Sequence, residues 1–457
     1  MKKLFTTVIA AFALVLALTL TSCGKKELMI WVGSECVDFY QAKVDAYVEK
    51  YNATHESEFP TTIKVLGVDA GAAAQQYLND VEAGPDIFTI PHDNMGKLTA
   101  GSSNIYPIQS ESLIAQINND NPEAFISVVQ STVQGKSYYF GVPYIAQSLV
   151  LYYNAEVLSA EDVKTWEGIS AKAKAITTAE KVVKAADLLG DDGFNNSFLL
   201  LAKYYDATGK LTTSAKIYEN GVEDANMVHG DDTMAALKWG ARYFKMENNA
   251  TIAGGIGKAG SSGWETDLKD GYALSLIGGA WNYKAAKAAL GSKLGIAVLP
   301  TFTITEADAY GTIKAGTVFQ SGSFADCKCF VLKKGSKYQE YLEDIVQYLS
   351  SVAMQEEAFT QVANLPAYKN AAEEFSAMKA DTLDAKLSAC QIKMFEYGIA
   401  QPFGYAQKYN VRYYSKNTPA LIYAWLTGVN SEYALTDAGL MELLQYCESV
   451  WSTGETK

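Results

Sequence analysis

The chain is poor in histidine and arginine. His55, His92, His229, Arg242 and Arg412 are all it carries of either type in 457 residues. No histidine pair has the HExxH spacing, so a zincin is excluded. Acidic residues outnumber basic ones, 51 to 38, for a net charge of -13. An acidic chain with two isolated arginines lacks the clustered positive charge that nucleic acid requires. Dense bidentate phosphate recognition is excluded with it. There is no Walker A loop, because Gly135-Lys136-Ser137 lacks the first glycine, and no GxSxG elbow. Asp191-Asp192 lacks EF-hand spacing. No Pro- or Ser-rich linker and no solenoid-length repeat divides the chain. Beyond the N-terminus no stretch reaches the ~18 apolar residues of a membrane helix. Nothing here calls for a cofactor or a metal.

What is present is a large, core-forming chain. Hydrophobic residues make up 49% and charged residues 19%, a composition that buries a core rather than staying disordered. The length fits two lobes or more. Lys2 and Lys3 precede an apolar run from Leu4 to about Leu20, the pattern of a secretory signal peptide over residues 1–22. The run closes on Leu20-Thr21-Ser22-Cys23, which resembles a bacterial lipobox and implies acylation of the Cys23 thiol after cleavage before it. Two or three acyl chains anchor far more firmly than one. A plain signal peptide and an uncleaved helix are the alternatives.

Strands and helices alternate. Apolar runs at Glu27–Val32, Ile63–Val68 and Asp86–Ile90 read as strands, separated by amphipathic patterns at Phe39–Tyr51 and Gly71–Ala83. Further strands are expected at Ser148–Tyr153, Tyr272–Gly278 and Leu294–Leu299, with helices within Ser159–Lys174, near Tyr338–Leu349, and mostly from Tyr368 onward. Such alternation gives largely parallel sheets covered by helices. Gly255-Ile256-Gly257-Lys258-Ala259-Gly260 matches GxGxxG, but its polar flanks point to a surface loop rather than a dinucleotide turn. Cys327 and Cys329 face one side of a strand, as small core residues or as half of a metal or redox pair. Asp231-Asp232 reads as the cap and first turn of a helix. Aromatics reach 12%, with 29 tyrosines. Tyrosine and tryptophan join an apolar face to a hydrogen-bonding tip, which suits a pyranose ring, although most must fill cores.

Several ordered segments look like extracellular solute-binding proteins of ABC importers, specifically the carbohydrate-binding, maltose-binding-protein group. They are Leu28-Met29-Ile30-Trp31, Gly84-Pro85-Asp86-Ile87 with His92-Asp93, and Gly141-Val142-Pro143-Tyr144 followed by Leu151-Tyr152-Tyr153-Asn154. Thr165-Trp166-Glu167, Gly278-Gly279-Ala280-Trp281 and Gly295-Ile296-Ala297-Val298-Leu299-Pro300 continue the series. Each is short, and their order carries the resemblance. It implies an α/β, two-lobed periplasmic-binding-protein-like fold, each lobe a mixed, mostly parallel sheet flanked by helices. Three hinge crossings are expected near residues 145, 298 and 352. Residues 23–146 and 298–350 would form the N-terminal lobe, and 147–297 and 351–457 the C-terminal lobe. Hinge closure on a ligand in the cleft is expected.

The resemblance also implies ligand contacts. Glu35 falls where the family has an acid after the first strand, and Cys36 replaces a lysine beside it. Asp93 keeps the acid of the His-Asp pair, and Asn94 replaces an arginine. Ile90 stands where a stacking tryptophan is missing. Gln147 replaces an acid, and Trp281 is the stacking candidate. Phe194, Asn195 and Tyr405 are placed loosely. Each has a plainer reading: Glu35 or Asp93 as a helix cap, Gln147 facing solvent, Trp281 as packing, His92 as a structural hydrogen-bonder. The substitutions argue against assuming maltose.

The expected function is a lipid-anchored, non-enzymatic receptor on the extracytoplasmic side of the membrane. It would be a monomer that captures an uncharged mono- or oligosaccharide for an ABC permease, with no cofactor, metal or nucleic acid. The alternatives are a lipoprotein glycoside hydrolase, marked by two carboxylates flanking the cleft, or a bilobal receptor for a peptide, polyamine or metal.

Overall fold

The computed structural model describes residues 27–99, 103–133, 136–189, 197–213, 229–362, 364–371, 382–400 and 418–453. The chain opens with β1 (Leu28–Val32), α1 (Val37–Thr54), β2 (Ile63–Gly67), α2 (Ala70–Asn79) and β3 (Ile87–Pro91). β1 pairs in parallel with both β2 and β3, the pairing that a strand–helix–strand alternation produces. The Asp86 of the GPD sequence is structural. Its backbone N–H donates to Met29 O at 2.8 Å, and its carboxylate accepts from Met29 N at 3.0 Å and Ser336 Oγ at 2.6 Å. One half-buried acid thus ties the entry of β3 to β1 and to a distant segment.

The chain reaches the second lobe through β4 (Val142–Gln147) and β5 (Val150–Asn154). Then follow α3 (Trp166–Ile176), β6 (Ala186–Leu188), α4 (Asp231–Tyr243), β7 (Ile256–Lys258), β8 (Ser275–Gly278), α5 (Tyr283–Leu290) and β9 (Leu294–Ala297). The sheet order is β7-β6-β8-β5-β9, parallel from β7 to β8 and antiparallel around β5. α3 begins where Thr165 Oγ accepts from Gly168 N at 3.0 Å, an N-cap of ordinary kind. Trp166 behind it is fully buried, and its indole N–H donates to Ser321 Oγ at 3.0 Å. Glu167 accepts from the Trp239 indole at 3.0 Å and from Thr303 N at 3.1 Å.

Return to the first lobe is made by β10 (Phe324–Leu332), which runs antiparallel to β3 on one side and β4 on the other. α6 (Gln339–Leu349) and α7 (Val352–Val362) follow on that lobe, then α8 (Leu383–Tyr397), α9 (Thr418–Thr427) and α10 (Asp437–Thr453). Two hydrophobic cores result. One gathers buried residues from 28 to 146 and from 327 to 371, with Ile392. The other gathers residues from 149 to 324 and from 387 to 450. The two-lobed mixed α/β fold is therefore as expected.

The allotment of segments differs from the expectation at two of the three crossings. β9 is no crossing: it lies antiparallel to β5 inside the second sheet. Phe302 and Phe319, from strands Thr301–Thr303 and Val318–Gln320, stack at 5.2 Å in the second core, so the chain returns near 324 rather than 298. α7 buries Met354, Ala358 and Phe359 in the first core, so the next crossing falls after 371 rather than near 352. The Gly255–Gly260 stretch is not a surface loop either. Ile256 is buried, and β7 pairs in parallel with β6. Asp231 and Asp232 sit in the first turn of α4, with Gly230 at the cap. Cys327 and Cys329 are buried core residues with sulfurs 3.7 Å apart. Among the described residues no group of three metal-ligating side chains occurs, and no helix is long and apolar enough to cross a membrane.

Candidate functional site

A cleft of about 240 Å³ opens between the two cores, and each contributes a wall. Glu35, Lys328, Thr360, Gln361 and Asn364 come from the first lobe. Ala280, Trp281, Tyr283 and Lys284 come from the second, with Asp384 from the start of α8. Ile145 and Gln147, on the strand that crosses between lobes, form the floor. Three residues expected from sequence, Glu35, Gln147 and Trp281, thus meet in one place.

Trp281 is 40% exposed, unusual for so large an apolar side chain. It sits on the 3-10 turn Ala280–Asn282 that caps β8. That turn is pinned from two sides. Gly279 O accepts from Asn282 N at 3.0 Å and from the Tyr152 hydroxyl at 2.9 Å, while Gly279 N donates to Asn282 Oδ1 at 3.1 Å. The indole lies flat over Gly279, where any Cβ would strike the ring. Glycine there lets the ring lie against backbone while it lines the cleft. Tyr283 follows on the same wall. Burial pushes its phenol above the ordinary tyrosine range, and its hydrogen bond to Asp384 raises it further.

The opposite wall is polar. Glu35 occupies the 3-10 turn Ser34–Cys36 between β1 and α1 and makes no side-chain cap to the helix. Its carboxylate folds back over Gly33, in the space a Cβ would fill. Cys36 beside it turns inward, where the Asn364 amide donates to its sulfur at 3.3 Å. Burial, with Glu35 adding, pushes that thiol up to about 11, so it stays protonated and unreactive. Gln147 is 4% exposed and has no side-chain hydrogen bond among the described residues, so its amide opens only to the cleft. Lys328 is 8% exposed, and its ammonium lies 3.8 Å from Glu35.

Other expected residues fall elsewhere. Asp93 and Asn94 follow β3 in the turn His92–Asn94 but do not line the cleft. The Asn94 amide donates to Asp93 at 3.0 Å and its carbonyl accepts from Lys97 at 2.7 Å, so both of its groups are used locally. His92 is buried against Asp326, with Cys327 N–H 3.3 Å from its Nδ1, as the structural reading has it. Phe194, Asn195, Tyr405 and Cys23 lie outside the described residues. Sequence reasoning missed Lys328, Gln361, Asn364, Lys284 and Asp384. Only Lys328 left a signal, as the single charge facing the same way as Asp326 within an apolar strand.

Two lobes, strands that cross between them and a cleft with one aromatic and one polar wall define a binding protein that closes on a guest. The chain matches the family described as bacterial extracellular solute-binding protein over residues 46–385, and it belongs to that family. It is 24% identical to the maltodextrin-binding protein MdxE of Bacillus subtilis (strain 168) over 429 residues, 88% of each chain. Its fold is shared with the maltose-binding periplasmic protein MalE of Listeria monocytogenes, solved in complex with maltose. The TM-score is 0.63 at 16% identity, covering 94% of this chain and 99% of that one. MalX of Streptococcus pneumoniae, solved with maltopentaose, also has a TM-score of 0.63 at 16% identity, covering 92% of this chain and 99% of that one.

Proposed function

We propose that the protein is the substrate-binding component of an ABC importer, and that it captures an uncharged mono- or oligosaccharide between its lobes. The observation that carries this reading is the pairing of Trp281 with a wall of amides and charges across an interlobe cleft. A pyranose has C–H faces for an indole and hydroxyl edges for polar groups. Hydrogen bonds from charged partners contribute ~1.5–3 kcal/mol each. The cleft is electrically balanced, with Glu35 and Asp384 against Lys328 and Lys284. That favours a neutral guest over a polyamine or an acid. The names of the relatives support the same class.

Closure follows from differential affinity: a guest touching both walls binds the shut state better than the open one. The guest is released unchanged to a permease. The Leu20-Thr21-Ser22-Cys23 sequence supports a lipid tether at Cys23, which would keep the monomeric receptor at the extracytoplasmic face. An enzyme would need one of its carboxyls kept protonated in an apolar site. Glu35 and Asp384 are both exposed, and each faces a donor, Lys328 and Tyr283 respectively.

Titration calorimetry of the purified protein against maltose, longer maltodextrins and unrelated disaccharides tests the proposal. Micromolar binding, with the sugar recovered intact by chromatography, is the expected result. Release of shorter sugars would replace it with the glycoside-hydrolase reading.

A further inference from the structure

Lys328 is not among the positions at which the family resemblance places a ligand contact, yet the fold aims it into the cleft. β10 pairs with β4 so that Lys328 lies opposite Ile145 and Asp326 opposite Gln147. Lys328, Ile145 and Gln147 therefore share the face that forms the cleft floor, while Cys327 and Cys329 point into the core behind it. The neighbouring acid, Asp326, is engaged by His92. The acid left nearest to Lys328 is Glu35, and 3.8 Å is too long for a hydrogen bond. Among the described residues the ammonium makes no hydrogen bond at all, although its residue is 8% exposed.

We propose that Lys328 and Glu35 form a divided ion pair that reads one hydroxyl of the guest, which makes Lys328 a specificity-determining residue. This rests on the saccharide reading above. An ammonium only donates and a carboxylate only accepts, whereas a hydroxyl does both. One hydroxyl oxygen placed between them accepts from Nζ and donates its proton to Glu35. A carboxylate guest cannot donate to Glu35, and an ammonium guest cannot accept from Lys328. The pair therefore selects neutral polyols and works against acidic sugars and polyamines alike. Both hinge strands carry this floor, so a guest seated on Gln147 and Lys328 touches each of them.

The test is calorimetry of the full chain with maltotetraose, with each monodeoxy maltose and with spermidine. Lys328→Met should weaken maltotetraose binding roughly ten- to a hundredfold, the loss of a charge-assisted bond. One monodeoxy maltose, lacking the hydroxyl that the pair reads, should bind wild type and variant alike, closing a double-mutant cycle. Should Lys328→Met fail to fold by circular dichroism, Glu35→Gln carries the same cycle from an exposed position. Maltotetraose binding unchanged within twofold in the variant, or a cycle that is additive for every hydroxyl, overturns the proposal alone. Tight wild-type binding of spermidine, which has no hydroxyl, does the same. A wild-type chain that binds no saccharide overturns the functional reading along with it.

Discussion

The two walls of the cleft are built by different means. The second-lobe wall is centred on one indole and one phenol, held by a turn in which Gly279 N, Gly279 O and Asn282 N are all hydrogen-bonded. The first-lobe wall is a set of separate polar tips from a turn, a strand and the end of a helix. A rigid aromatic face loses little entropy on binding and accepts many sugars, because every pyranose has a C–H face. Scattered donors and acceptors demand one hydroxyl pattern and reject others by leaving polar groups unpaired. On the saccharide reading, affinity is thus concentrated on one side of the hinge and discrimination on the other.

This division breaks most visibly at Trp281. Trp281→Ala should weaken every sugar that binds by a similar factor, about thirtyfold, or ~2 kcal/mol for a central aromatic anchor. Calorimetry across a saccharide panel measures it, and a loss confined to one sugar would reverse the roles of the walls. Gly279→Ala should reproduce much of that loss, around tenfold, because the new Cβ displaces the indole without touching the guest. Its melting temperature should stay near that of wild type. Gln147→Ala, at the floor, removes one neutral amide and should cost about 1 kcal/mol, roughly fivefold, unevenly across the panel.

An effect on stability rather than on binding separates the lobes by pH. In the second sheet, Asp187 on β6 lies beside Leu276 on β8, the strand that delivers Trp281. Burial pushes the Asp187 carboxyl up to about 7 against the pull of Lys184, with Asp267 adding to the rise. Burial raises the Asp267 carboxyl too, but hydrogen bonds from Lys184 and Gly260 N–H outweigh it and hold the group below the ordinary range. The two acids share one lysine, so Asp187 takes the proton and Asp267 keeps the charge. The folded state then holds a proton that an unfolded aspartate releases near pH 4. Stability from this group is complete below about pH 4 and falls as pH rises through about 7, by at most ~1.4 kcal/mol per pH unit. Asp267 contributes the opposite slope, confined to lower pH. Denaturant melts from pH 4 to 7 should slope downward in wild type, and the slope should flatten in Asp187→Asn.

The aromatic wall was more legible in the sequence than the polar one. Trp281 stands after an apolar strand and a Gly-Gly-Ala turn, a local arrangement that needs no knowledge of the rest of the chain. Glu35 follows a strand, and Gln147 precedes one, whose apolar run marks it. Asn364, Gln361 and Asp384 arrive from the end of α7 and the start of α8, brought together by a crossing whose position no local pattern fixes. Lys328 hides between two cysteines in a nine-residue buried strand. The crossing expected near 298 is misplaced for the same reason. β9 and β10 are both apolar runs, and only partner choice, a non-local matter, decides which one leaves its lobe. β7 escaped because two of its neighbours are glycines, which carry no strand propensity of their own.

α8 belongs to both bodies at once. Leu387 and Met394 are packed in the second core, and Ile392 in the first. Its Gln391 carbonyl accepts from Ser148 Oγ at 3.1 Å beside the first crossing, and Asp384 at its start reaches the cleft. Such a helix acts as an axle. If the lobes close on a guest as proposed, they swing about this helix, one set of apolar side chains slipping along its flank while the other grips. The travel of the jaws is therefore bounded by how far those contacts slide before water enters between them.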